Sequence, residues 1–363
     1  MELSTYSKSE EYYRRSLEKL YLLGDQEAEM AQVLSEIGQL LINQENPELA
    51  IIFLKESINK YEKIRANNDT LTQKLKESYI SSVEETYRLL TNLLIEQGRL
   101  LEAQRVLELL KVEEIRRFTR ATLTSEGVIY DSTEKAVIES YGSLIALGAK
   151  INDCYPDCGQ ILIDRQIDLK QQYDTVVDTF KTIIRQNRAE DDVFYDPEEF
   201  DTDARDIIDG QPGTVLIYPI VLEDRLWLLW TAAGDVVGSI EIEDVNRQQL
   251  DNKILKFRTL IEKQDAESFK ELKLISQQLY KWLVEPLSKE LEVNNIEHLV
   301  FVQDRSTRYL PMAALYDGKK FLIEKYTIST VLSAKLTDMA DRLRDIRSPR
   351  VLALGLTQSI PGY

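Results

Sequence analysis

The sequence predicts a multi-domain chain: all-α helical repeats and a helical hairpin, followed by an α/β domain that contains an antiparallel meander. Three observations predict it. Small residues sit between leucine-rich faces twice in the first 120 residues, at Gly38 and Ala50 and again at Gly98 and Ala103. Residues 134–150 and 160–190 carry apolar side chains at helical spacing among polar ones. From residue 214 onward, β-rich runs bounded by turn signals give way to amphipathic stretches and further strands. A length of 363 residues accommodates two or three domains. The expected divisions are 1–120, 121–209 and 210–363.

In the first division, Gly38 is followed twelve residues later by Ala50, with Leu34, Ile37 and Leu41 on one face before Ala50 and Leu54 and Ile58 after it. This matches the tetratricopeptide pattern, in which small residues mark the close crossing of two antiparallel helices. Asn46-Pro47 fits the turn, with Pro47 at a helix start, where its missing N–H costs nothing. Leu90, Leu94, Gly98, Ala103, Leu107 and Leu110 repeat the frame across Gln97-Gly98-Arg99. Tyr13, Ser16 and Leu17 echo Leu54, Ser57 and Ile58, so the chain is expected to open inside a repeat, at its second helix. Such repeats serve either as a groove for a protein or peptide partner or as a spacer packed on the next domain.

The middle division reads as an antiparallel helical pair joined at Asn152–Gly159, then an acidic linker containing Pro197 and a short helix ending near 209. Cys154 and Cys158 fall in the connection. A zinc site needs four ligands, and the only histidine is the distant His298, so two ordinary thiols are expected rather than a metal or redox pair.

In the last division, Gln211-Pro212-Gly213 is a turn signal. Thr214–Leu222, Leu226–Ala232 and Val236–Ile242 form the meander, with Trp227 and Trp230 on opposite faces by the period of two. Helices are expected at 246–263 and 267–287. Leu299–Val302 is an unbroken apolar run, read as a strand buried on both faces. A polar turn at Asp304, Arg305 and Ser306 leads to a short helix opened by Pro311. An Asp317-Gly318 turn, a strand around Ile323–Ser333, a short helix near 335–344 and a strand at 350–356 complete the reading.

The stretch EHLVFVQDRSTRYLPMAAL, together with Tyr316-Asp317-Gly318, Phe321–Glu324, Tyr326–Ser329 and Val351–Leu356, resembles the start of a CHAT domain, the caspase-like domain found behind tetratricopeptide repeats. Upstream, Gln211–Thr214 and the tryptophan strand share the likeness. The resemblance implies an incomplete α/β caspase-like domain. It also implies a cysteine-peptidase ancestry, in which a thiolate attacks a peptide carbonyl and a histidine handles the proton. In the family, that His and Cys lie in later motifs, beyond the segment that ends here at Tyr363. No position matches either, so no catalytic residue is carried over. His298, just before the apolar strand, reads as a capping or packing residue.

Sixty-two acidic against 45 basic residues give a net charge of −17, which argues against a phosphate-tracking surface. The most apolar window, 213–231, is interrupted by Glu223, Asp224 and Arg225 and cannot span a bilayer. No basic segment followed by an apolar stretch opens the sequence, so a secretory signal is not expected. The cytoplasm is the expected location, and neither a cofactor nor a metal is expected. Asp304, Arg305 and Arg308 are the candidate ligand-loop residues, because loops after the strands of an open α/β sheet line the ligand crevice. A surface salt bridge of Asp304 with a neighbouring arginine is the plainer expectation. The functional expectation is an interaction scaffold or regulator with a catalytically incomplete CHAT domain. The alternative is a piece of a caspase-like endopeptidase, completed by a downstream polypeptide that adds to the sheet and covers its edge. A truncated product without function is the third.

Overall fold

The computed structural model describes residues 2–67, 73–119, 127–190, 202–234, 236–263 and 265–337. Helices dominate the first 210 residues: α1 Glu2–Leu23, α2 Glu27–Asn43, α3 Pro47–Asn67, α4 Gln73–Glu96, α5 Leu100–Thr119, α6 Ser132–Cys154, α7 Gln160–Glu190 and α8 Thr202–Gly210. The remainder holds β1 Thr214–Val221, β2 Leu226–Ala232, β3 Val236–Ile242, α9 Arg247–Ile261, α10 Ala266–Leu283, α11 Ser288–Val293, β4 His298–Val302 and β5 Thr327–Val331. The described residues are thus mostly helical, with a small five-stranded mixed sheet.

Helices α2 and α3 cross where Gly38 meets Leu54. A Cβ on Gly38 would lie 2.7 Å from the Leu54 side chain, so only the absence of one permits the approach. Pro47 opens α3, as its fixed φ favours. Gly98 ends the α4 turn with φ 76°, and the Arg99 amide reaches back to the Leu94 carbonyl at 2.8 Å. This left-handed closure satisfies carbonyls the helix end leaves orphaned. Helix α1 packs on both α2 and α6, with Leu17 buried in the seam. Helix α6 starts at a capping box, Asp131 with Glu134, and pairs with α7. Residues 191–201, most of the expected acidic linker, lie outside the described residues; α8 is the short helix expected after it.

The sheet order is β3-β2-β1-β4-β5. The first three strands form the expected antiparallel meander, and β4 and β5 add in parallel. Every residue of β1 is buried, and Leu299–Val302 of β4 are at most 5% exposed, because helices cover both faces. One face, with Val215, Ile217, Leu299 and Phe301, packs on α9, α10 and α11. The other, with Leu216, Tyr218, Val300 and Val302, joins the core of the preceding helices. Trp230 belongs to the first core and Trp227 to the second, as alternation requires.

Three local expectations need correction. The helix expected to open at Pro311 is a single 3-10 turn, Met312–Ala314, and a second 3-10 turn, Arg305–Tyr309, precedes Pro311 in the polar loop. Pro311 drives Leu310 into an extended conformation, φ −97° and ψ 114°, which ends that preceding turn. The strand expected from Ile323 starts only at Thr327. The Glu324 carboxylate accepts the Phe321 amide at 2.6 Å and folds Leu322–Glu324 into a turn. Helix α10 stops at Leu283, and Pro286 sits in a separate 3-10 turn, Glu285–Leu287. Most of the helix near 335–344 and all of the strand 350–356 lie outside the described residues.

Candidate functional site beneath the β4 loop

The loop after β4 closes on itself before it meets anything else. Gln303 Nε2 donates to the Leu310 carbonyl at 3.0 Å, and the Asp304 amide donates to Thr307 Oγ1 at 2.8 Å. This folding turns the Asp304 side chain inward, under the helices, where the residue is 1% exposed.

Four donors meet its carboxylate. Arg88 of α4 binds both oxygens, Nη1 to Oδ2 at 2.7 Å and Nη2 to Oδ1 at 3.0 Å. Lys111 of α5 donates to Oδ1 at 2.6 Å, and the Val221 amide at the end of β1 donates to Oδ2 at 3.1 Å. A carboxylate has about four acceptor sites, so Asp304 is saturated. Burial pushes its pKa up, but Lys111 and Arg88 overcome this and hold it far below the ordinary carboxylate range. Burial lowers the Arg88 pKa, yet Asp304 and then Glu84 raise it well above its usual value. The carboxylate therefore stays ionised and fully engaged, a fastening rather than a proton acceptor.

Around this centre the charges balance. Arg88 Nε donates to Glu84 at 2.9 Å, and Glu114 lies 3.5 Å from Arg88 and 3.6 Å from Lys111. Arg305 donates to the Val221 carbonyl at 3.1 Å and to Glu223 at 2.9 Å, and also reaches Glu84 at 3.3 Å. Arg308 pairs with Glu114. Four cations, Arg88, Lys111, Arg305 and Arg308, face four carboxylates, Asp304, Glu84, Glu114 and Glu223. The loop charges thus pair with the helical layer and with the turn after β1, rather than among themselves at the surface. Arg305 adopts φ 44°, a left-handed conformation that costs a side-chain-bearing residue about 1–3 kcal/mol. Its three partners hold it there.

Helix α5 makes a second fastening. Gln104, Glu108 and Lys111 follow at i, i+4 and i+7 and lie on the sheet side. Gln104 Oε1 accepts from Thr231 at 2.8 Å, and its amide donates to Tyr218 at 3.3 Å. Glu108 accepts from the Tyr218 hydroxyl at 2.9 Å, Ser333 Oγ at 2.5 Å and the Ala334 amide at 3.0 Å. The strand edge after β5 is thereby tied to the same helix that grips Asp304. A further buried cluster lies within the helical part. Glu134 accepts from Lys55 at 2.7 Å and from Arg99 at 2.6 Å, and Arg99 also holds Glu102 at 2.5 Å. Burial raises the Glu134 pKa, and Lys55 and Arg99 reverse the shift and lower it.

Residues 273–360 match the CHAT domain family model. No curated protein matches the chain. The CHAT segment opens within α10 and takes in β4, the Asp304 loop and β5. Arg88, Glu108 and Lys111 lie outside it, so both fastenings straddle its boundary. The tryptophan strand and Gln211–Thr214, which share the resemblance in sequence, lie outside the match as well.

His298 opens β4. Its amide donates to the Gly213 carbonyl at 3.0 Å, and its Nδ1 is buried without a hydrogen-bond partner among the described residues. Cys154 and Cys158 are not ordinary thiols: they are joined as a disulfide at the α6–α7 turn. The connection is short enough to bring the two sulfurs together, which a ligand count alone does not reveal. Among the described residues no group of three or more His, Cys, Asp or Glu could hold a metal ion, and no helix is long and apolar enough to cross a membrane.

Arg88, Glu108 and Lys111 escaped the sequence reading because a charge on a helix is usually solvated. The available signal was the polar i, i+4, i+7 stripe beside Leu107 and Leu110, on an otherwise leucine-rich helix.

Proposed function

We propose that the chain is an interaction or regulatory protein. Helical repeats of the tetratricopeptide kind receive a protein or peptide partner, and a caspase-like CHAT segment responds through the β4 loop. The observation that carries this reading is the Asp304 carboxylate, gripped by Arg88 of α4 and Lys111 of α5. A partner that shifts those helices must shift the loop or break a buried ion pair, and breaking one leaves an uncompensated charge. The groove residues of the repeats and the partner's sequence are open to selection. Displaying random peptides against the immobilised full chain tests the reading. Selected peptides should protect α2–α5 amides from hydrogen exchange and remain uncut. Cleavage of those peptides that iodoacetamide abolishes would overturn it.

A second reading has its own support. Strand β5 is the outermost described strand on its side of the sheet, and it pairs only with β4 there. A further strand from another polypeptide segment could add to it and bring the thiolate and imidazole of a caspase-like endopeptidase. Under that reading, adding such a segment confers thiol-dependent cleavage on the mixture.

A further inference from the structure

The tip of the α6–α7 hairpin carries the chain's two cysteines. Cys154 is the last residue of α6, and Cys158 stands two positions before α7. Their sulfurs are bonded. Tyr155, Pro156 and Asp157 between them are exposed, Tyr155 to 78%, so an incoming thiol can approach. The first turns of α7 add little packing: Ile161 is 83% and Ile167 55% exposed.

Two arguments separate this bond from a structural staple. A disulfide stabilises mainly by constraining the unfolded chain, and the effect grows with the loop it closes. Here the sequence separation is 4, so that constraint is small. The two sulfurs also differ in electrostatic setting. Cys154 ends α6, whose C-terminal dipole opposes a thiolate, and Cys158 stands just before α7, whose first amides favour one; the Ile151 carbonyl lies near both sulfurs, 3.5 Å from Cys154 and 3.1 Å from Cys158.

We infer that Cys154–Cys158 is a thiol–disulfide exchange site for a dithiol reductant, and that its state sets how firmly the hairpin tip is held. A thiolate of the dithiol attacks Cys154 Sγ, and the S–S electron pair leaves on Cys158 as a thiolate. The second thiol of the reductant then closes on the mixed disulfide and releases Cys154. Two electrons pass to the protein, both cysteines end as thiols after taking up two protons, and the dithiol ends as a disulfide. The tip touches the rest of the molecule through α1: Asn152 Nδ2 donates to Glu18 at 3.1 Å, and Glu18 packs against Gly148. Reduction therefore loosens the α1–α6 seam at its outer end.

The test equilibrates the full chain in buffers of reduced and oxidised dithiothreitol, quenches in acid, alkylates, and weighs the peptide spanning residues 151–160. A single reversible two-electron transition between doubly alkylated and bonded forms is expected. A peptide that stays alkylated in the most oxidising buffer, or bonded in the most reducing one, overturns the assignment. Amides of residues 148–166 should exchange at least about tenfold faster in the reduced protein; equal exchange overturns the mechanical part. For polarity, Cys158 in Cys154→Ser should alkylate about threefold faster at neutral pH than Cys154 in Cys158→Ser, since a larger thiolate fraction is partly offset by lower nucleophilicity. Equal or reversed rates overturn the assigned direction of attack, with matching circular dichroism confirming that both variants fold.

Discussion

At the residue scale the molecule turns on Asp304. Its partners come from positions 216 and 193 residues away, Arg88 and Lys111. Removing the carboxylate alone deprives the buried Arg88 and Lys111 of their shared, fully buried acceptor. Asp304→Ala should lower stability by about 3–5 kcal/mol, measured as a fall in the urea midpoint with unchanged slope. Replacing the trio together with apolar residues of similar length, Asp304→Leu with Arg88→Met and Lys111→Met, should recover most of that loss, because no charge is then left unpaired. If the triple variant is as unstable as Asp304→Ala, the ion pairs are not the source of the effect. The pH dependence has a definite sign. Because the folded pKa of Asp304 is depressed, its stabilisation is complete above the unfolded value of about 4 and is lost as pH falls below it. Acid unfolding curves for the wild type and the triple variant should therefore run close together above about pH 4 and diverge below it, the wild type losing stability more steeply. Equal pH dependence down to the acid limit would contradict the assignment.

At the element scale, α5 does two jobs that its sequence advertises unequally. Leu107 and Leu110 bury in the core as their spacing predicts, while Gln104, Glu108 and Lys111 carry the sheet on a polar stripe. The α2–α3 crossing was legible for a simpler reason: close approach demands a glycine, and one stands at position 38. Gly38→Ala should destabilise by about 1–3 kcal/mol, because its Cβ would meet the Leu54 side chain at 2.7 Å. Leu54→Val in the same chain should restore part of it, and a thermal-melt cycle over the four proteins measures the coupling. Purely additive effects would mean that the two residues do not oppose each other.

At the scale of the whole molecule, the sheet is a shared wall, cored on one face with α9–α11 and on the other with the helical layer. Its meander and the doubly buried β4 were readable, since periodicity and turn residues act over a few positions. The pairing of Asp304 was not, because nothing local distinguishes a loop aspartate that bonds Arg305 from one that turns inward to Arg88. Likewise the polar i, i+4 and i+7 positions of α5 stand out as a stripe in the sequence, but whether that stripe is buried or solvated is decided only when the sheet is laid against it. Pro311 shows the reverse case: the same residue favours a helix start after it and forces an extended conformation on Leu310 before it, and here the second effect ends the preceding turn.

Helices α4 and α5 hold the β4 loop through Asp304. Hydrogen exchange of the amides in residues 303–310, compared between the wild type and Lys111→Met with Arg88→Met, measures this directly. Loss of a fastening of about 3 kcal/mol should speed exchange of those amides by about a hundredfold, while α9 and α10 stay protected. Unchanged exchange in the loop, with the rest of the fold intact, would contradict it.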